Sequence, residues 1–229
     1  MSTQTTQTTQ PLVRIFNPNT STTVTDSVVR AIAPVVAASA FRFESATAAS
    51  GPEGIVTQED FDQAQLGVVA YVAGQRDAAD AFVVACFSDP GVDQARMASG
   101  GKPVLGLGEA GLRAALRHGK RVGVVAIADA AIPRHMRHWA QMGLQDSVVG
   151  ERALNLRVDQ SGDPAVAWET LREAGRRLRD VDGADVLLLG CAGMADLRAP
   201  LEDALGMPVI EPCAAAAIEA LKLLGDVGR

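Results

Sequence analysis

The sequence predicts an α/β fold of two related lobes, each a parallel sheet flanked by helices, with a ligand site in the cleft between them. Short apolar runs alternate with longer mixed stretches from residue 12 onward, the pattern of strands and crossover helices. Two of these runs, Val83-Val84-Ala85-Cys86 and Leu188-Leu189-Gly190-Cys191, are apolar throughout, as parallel strands covered on both faces are. The two runs also repeat each other's surroundings at an offset of 105 residues: Asp80 with Asp185, Cys86 with Cys191, Gly101 with Gly206, and Pro103-Val104 with Pro208-Val209. Such spacing implies two halves of common design.

Taken in order, Leu12–Phe16 is the first strand and ends in Asn17-Pro18-Asn19-Thr20-Ser21. Pro18 keeps Asn17 out of the helical region, and Ser21 or Thr22 caps a helix to about Ala38. Phe41–Ser45 alternates like a half-buried second strand. A loop through Gly51-Pro52-Glu53-Gly54 leads to Thr57, a cap with Asp60 in the reciprocal position, and a helix to about Ala79. Strand Ala81–Cys86, a short helix near Val92–Ala98, strand Pro103–Leu107 and a helix ending near His118-Gly119 complete the first half. Strand Arg121–Ile127 opens the second. Asp129 is then expected to cap a helix through Gln141, with Pro133 in its first turn. Ser147–Val158 reads as a strand with irregular flanks. A turn at Ser161-Gly162-Asp163-Pro164 starts a helix to Asp180. Strand Val186–Gly190, a helix near Leu197–Leu205, strand Pro208–Ile210 and a last helix from about Cys213 follow.

Composition narrows the function classes. With 48% hydrophobic and only 4% aromatic residues, the core is built from Ala, Val and Leu. A net charge of −6 gives no bulk attraction to nucleic acid or an anionic membrane. The apolar runs are too short to span a bilayer. Residues 1–11, mostly Thr and Gln, resemble no signal peptide and read as a flexible tail. Three widely spaced cysteines suit reduced thiols in a cytoplasm rather than a disulfide framework.

Each cysteine run stops at a strand's carboxyl end, where α/β proteins bind ligands. A helix N-terminus there is expected to favour the thiolate. Several chemistries compete. Metal binding lacks a Cys-x-x-Cys pair, and His135 and His138 read as a solvated helix face among arginines. A cysteine hydrolase would need a histidine base that no strand end supplies. Gly106-Leu107-Gly108-Glu109-Ala110-Gly111 has the form of a dinucleotide fingerprint, but Glu109 would set a carboxylate against the pyrophosphate. Both cysteines could be small core residues, the role that best suits Cys213 beside Ala214–Ala217. Two thiols facing each other across a cleft could instead remove a proton from one face of a carbon and return one to the other.

At these same residues the chain resembles the cofactor-independent Asp/Glu racemase superfamily, most closely its hydantoin/allantoin racemase branch. The resemblance is carried by Asn17-Pro18-Asn19-Thr20-Ser21, Cys86-Phe87-Ser88-Asp89-Pro90-Gly91, Pro103-Val104-Leu105-Gly106 with Glu109-Ala110, Gly190-Cys191-Ala192-Gly193-Met194 and Pro208-Val209-Ile210. It implies lobes at 12–118 and 119–209, with 210–229 packing back on the first. It implies Cys86 and Cys191 as the catalytic pair, and Asn17, Asn19, Thr20, Phe87, Ser88, Ile127, Ala192 and Gly193 around the substrate. No metal or other cofactor is expected, and the partners are a small-molecule substrate and further copies of the chain. Phe87-Ser88 and Ala192-Gly193 stand where glutamate or aspartate racemases typically carry Asn-Thr and Thr. Arylmalonate decarboxylases keep only the second-lobe cysteine, whereas maleate isomerases also carry two. A cis–trans isomerase, an amino-acid racemase and a non-catalytic sensor are therefore the alternatives.

Two stretches depart from the branch. Gly51-Pro52-Glu53-Gly54-Ile55-Val56-Thr57 replaces a Gly-Pro-x-Ser-Ile-Glu-Ser loop, and Val124-Val125-Ala126-Ile127 replaces Val-Val-Thr-Thr. Lost hydroxyls would leave a ring imide poorly paired on burial, so a less polar substrate is expected.

Overall fold

A computed structural model describes residues 10–227; most of the stretch read as a flexible tail lies outside them. Eight strands and eight α-helices alternate: β1 (Leu12–Asn17), α1 (Thr22–Ala37), β2 (Arg42–Thr47), α2 (Gln58–Gln75), β3 (Ala81–Val84), α3 (Val92–Ala98), β4 (Val104–Gly106) and α4 (Leu107–Ala115) come first. Then come β5 (Val122–Ala126), α5 (Ile132–Gln141), β6 (Val148–Ala153), α6 (Pro164–Asp180), β7 (Val186–Gly190), α7 (Arg198–Leu205), β8 (Val209–Ile210) and α8 (Pro212–Val227). The strands form two four-stranded sheets, ordered β2-β1-β3-β4 and β6-β5-β7-β8. Every pairing is parallel, and the second order is the first moved on by four strands.

The repeat seen in the sequence has a physical cause in this topology. Asp80 accepts a hydrogen bond from Leu12 N–H at 2.8 Å, and Asp185 accepts one from Arg121 N–H at 2.9 Å. Each aspartate thus pins the start of its lobe's first strand to the cysteine-bearing strand. The Pro103 and Pro208 carbonyls accept from Phe82 and Leu187 N–H, both at 2.9 Å, and start the next pairing. Gly101 and Gly206 turn the chain there with φ of +87° and +64°, a region that disfavours side chains with a Cβ.

Local signals act as expected at α1 and α2. Ser21 accepts from Val24 N–H, and Thr57 with Asp60 closes a full capping box. Three boundaries differ from expectation. α2 stops at Gln75 because the chain must turn before Asp80 can reach β1. β3 stops at Val84, two residues before Cys86. Asp129 does not cap α5; it begins a 3-10 turn, and its carboxylate accepts from Asn155 Nδ2 at 2.9 Å.

Four apolar clusters hold the lobes. One fills lobe 2 around Leu171, Leu187 and Leu201 and includes Cys191. A second joins β1 and β3 to α8 through Val13, Ile15, Cys213 and Ala216. A third packs α2 on the first sheet through Val68, Val72 and Phe82. The fourth crosses between lobes: Phe87, from the first cysteine turn, sits with Leu112, Val124, Trp139 and Leu188. Burying a side chain of this size contributes about 1.5–3 kcal/mol, so this cluster is a main tie holding the turn against lobe 2.

Candidate active site

The first cysteine lies in a turn braced by the helix that follows the next strand. Cys86 N–H donates to the Val84 carbonyl at 2.9 Å, and Asp89 N–H donates to the Cys86 carbonyl at 3.0 Å. Asp89 holds a positive φ of 52°. Its carboxylate accepts from Gly108 and Glu109 N–H at 2.9 and 2.8 Å, capping the start of α4. A Cβ on Gly106 would stand 2.2 Å from Asp89 Cγ, and one on Gly108 2.3 Å from the Phe87 carbonyl oxygen. These glycines therefore admit an internal carboxylate, which explains the fingerprint-like run without a nucleotide. Glu109 turns away to pair with Arg96 and Arg113.

α5 corrects a sequence expectation. His135 and His138 do not form a solvated face. His135 is 2% exposed; its Nε2 lies 2.8 Å from Ser88 Oγ and its Nδ1 2.5 Å from Glu151 Oε1. His138 Nε2 lies 3.1 Å from Asp89 Oδ2. Arg134, also buried, donates from Nη2 to Ser88 Oγ at 3.2 Å and covers the Phe61 ring at 5.1 Å.

The second cysteine is simpler. Cys191 is one residue beyond β7, in lobe 2's core, with its sulfur 3.6 Å from Ser161 Oγ. Ser161 also donates to the Val158 carbonyl at 2.7 Å. A Cβ on Gly193 would meet Ser161 Oγ at 2.2 Å, so this turn, too, needs a bare backbone.

Both cysteines open into one cavity of about 30 Å³ between the lobes. Of the residues expected around a substrate, Asn19, Phe87, Ser88, Ile127 and Ala192 line it. Asn17, Thr20 and Gly193 do not. Asn17 Nδ2 donates to Asn19 Oδ1, the Ser21 carbonyl and Thr25 Oγ1, so its side chain is spent shaping the turn. Thr20 bonds the Pro52 carbonyl. Gly193 contributes its N–H, which bears on the Cys191 sulfur, as Ser88 N–H bears on Cys86. Asn19 Oδ1 accepts from Ser21 N–H and Asn17, while among the described residues its Nδ2 has no partner. Val24, Ile55 and Val158 close the cavity with apolar surface. A larger groove of about 800 Å³ beside α7 and α8 holds neither cysteine.

Burial pushes the Cys86 thiol up to about 12; the Ser88 N–H and the Arg134 charge pull it down, and Asp89 pushes it further up. Burial also raises Cys191, opposed by the Ser161 hydroxyl and Gly193 N–H. The expected activation at helix N-termini is thus outweighed by desolvation. Cys213 is held well above its ordinary value by burial and by Glu211, and it packs among Ala216, Ala217 and Ala220. Two resting thiols at one cavity make weak acids, and strong bases once ionised, suited to carbon-bound protons.

A family model described as Asp/Glu/Hydantoin racemase matches residues 13–220. The chain belongs to this family. It is 32% identical to a hydantoin racemase from Pseudomonas sp. (strain NS671) over 95% of its own length and 87% of that protein's. Among solved structures, allantoin racemase from Klebsiella pneumoniae matches with a TM-score of 0.87 and 29% identity, covering 94% of this chain and 89% of that one. Allantoin racemase from Pseudomonas fluorescens matches at 0.83 and 26%, over 93% and 92%. Like these racemases, the chain is an isomerase with two parallel α/β lobes. Among the described residues no helix is long and apolar enough to cross a membrane.

Proposed function

We propose that this racemase-family chain interconverts the enantiomers of hydantoin-like compounds by proton exchange between Cys86 and Cys191. The observation that carries the reading is that two thiols, from equivalent positions of two related lobes, line one cavity. One cysteine, as thiolate, takes the hydrogen from the carbon beside the ring carbonyl and becomes a thiol. The opposing thiol gives its proton to the other face of that carbon and becomes a thiolate. Electrons and protons balance without a cofactor, and the intermediate is an enolate.

The enolate oxygen needs donors set before charge develops. Asn19 Nδ2 and the Ser88 hydroxyl are the groups on the cavity wall for that task. The Ser88 and Gly193 N–H groups bear on the two sulfurs instead. Apart from His135, the remaining wall is apolar through residues such as Ile55, Ile127 and Val158, which favours a 5-substituted hydantoin with an apolar substituent over allantoin or a free acidic amino acid.

The test is a panel of enantiopure hydantoins, allantoin, aspartate and glutamate, followed by loss of optical rotation and by deuterium entry at the α-carbon in heavy water. Racemisation of an apolar hydantoin with one deuterium gained per inversion is the expected result. Turnover of maleate with a mass adduct on one cysteine would replace this reading with cis–trans isomerisation.

A further inference from the structure

Three buried side chains form a line that crosses between the lobes. Ser88 Oγ, in the first lobe's cysteine turn, is 2.8 Å from His135 Nε2 on α5. His135 Nδ1 is 2.5 Å from Glu151 Oε1 on β6, both in the second lobe. Two-thiol proton exchange assigns no task to His135 or Glu151.

The hydrogen-bond inventory fixes what this line can do. A serine hydroxyl has one hydrogen and two lone pairs, and a guanidinium only donates. Arg134 Nη2, at 3.2 Å, therefore occupies one lone pair of Ser88. Glu151 is a buried carboxylate, with its side chain 2% exposed; among the described residues its Oε2 has no partner and Oε1 has only His135. A carboxyl so short of partners shares one hydrogen with His135 Nδ1 across their short contact. With Nδ1 so engaged, a ring bearing a hydrogen on Nε2 gives it to Ser88 and fills the second lone pair. The hydroxyl hydrogen then has only the cavity to point into. With Nε2 bare the hydroxyl would instead give its hydrogen to Nε2 and offer the cavity a lone pair. The hydrogen on His135 Nε2 decides whether Ser88 donates to a ligand or accepts from it.

We propose that the His135–Glu151 pair holds its proton so as to turn the Ser88 hydroxyl into the cavity as a donor to the carbonyl oxygen that becomes the enolate, which rests on the racemase reading above. Ser88 is then a catalytic residue, and His135 and Glu151 are positioning residues that act through it. The donor comes from one lobe and its positioning pair from the other, so its alignment depends on the contact between the lobes. Its effect falls on the transition state, where the oxygen carries charge, and little on substrate binding.

The experiment is a double-variant cycle on racemisation of an apolar hydantoin, with kcat and KM separated and thermal stability recorded for each protein. Ser88→Ala lowers kcat about 100-fold and leaves KM nearly unchanged, as loss of one preorganised donor does. His135→Leu lowers kcat by about 30-fold on the same grounds. His135→Gln, whose amide can still donate, recovers most of that. In the Ser88→Ala background neither His135 variant costs anything further, since groups that act as a unit are not additive. Multiplicative losses in the double variant, or a loss confined to KM, overturn the proposal and leave two-thiol racemisation standing. So does labelling of Ser88 by a fluorophosphonate, which would make it a nucleophile. If His135→Leu does not fold, the cycle with His135→Gln and Glu151→Gln carries the same test. No turnover by the unaltered protein removes the parent reading, and this one with it.

Discussion

Cys86 and Cys191 occupy the same place in two copies of one topology, yet their surroundings differ in kind. Cys86 stands among charges: Asp89 and Arg134 bear on it from opposite sides, and its turn is bonded to α4 and α5. Cys191 belongs to the apolar core of lobe 2 and meets one hydroxyl and one backbone N–H. Duplication supplies position, and later substitution supplies electrostatics. A racemase must handle two mirror-image substrates, but two bases need not be equivalent; burial raises both thiols here, and Cys86 also meets the charges of Asp89 and Arg134.

The comparison breaks first if the cysteines are not a pair. Cys86→Ser and Cys191→Ser should each lower racemisation about 1000-fold, the scale of a positioned acid–base group; full activity in either variant, measured by optical rotation, ends the two-thiol reading. Next comes the asymmetry. Arg134→Met should lower kcat/KM about tenfold by removing the cation that favours the Cys86 thiolate. Ser161→Ala should act on Cys191 alone, so that α-hydrogen exchange of opposite enantiomers is slowed by the two variants. Equal slowing of both enantiomers by each variant would erase the distinction.

The pH profile is a third probe. A thiol raised to about 12 is almost wholly protonated near neutrality. As the thiolate is the base, kcat/KM should climb about tenfold per pH unit between about pH 6 and 9; a plateau across that range contradicts it. The smallest effect concerns the brace on Cys86's turn. Burial lowers His138, but the Asp89 hydrogen bond and charge outweigh it and leave the ring above its ordinary 6.5. A raised histidine stabilises the fold fully below the unfolded value, and that stability is lost as pH rises through the folded one. The melting temperature should therefore fall slightly on raising pH from about 6 to 9, and less so in His138→Gln.

The layout of strands and helices was legible because fully apolar strands alternate with capped helices, and because Asp80, Pro103 and their counterparts mark each lobe. The cysteines were legible for the same reason. His135, Arg134 and Glu151 were not. On α5 the two histidines lie among Arg134 and Arg137, which on a lone helix describes a solvated face. Their burial comes from a turn 47 residues earlier in the chain, and no local pattern reports that. Trp139, three positions past Met136 and fully buried, was the one residue that marked this helix as having an inner side. Ser161 was read only as part of a turn, and its reach to Cys191 depends on how that turn folds over β7.

The small volume of the cavity has a kinetic consequence of its own on the two-thiol reading. About 30 Å³ admits a water or two and no five-membered ring. On the two-thiol reading, Ile55 and Val158, on the cavity wall, would have to part to let substrate in. Under the proposed exchange, each inversion would leave the pair with its single proton on the other sulfur until exchange with water restores the first arrangement. Such an enzyme would leave each turnover primed for the enantiomer it has just made. At high substrate concentration, resetting rather than chemistry would set the pace. A labelled racemate held at equilibrium would then be driven briefly out of balance when one unlabelled enantiomer is added.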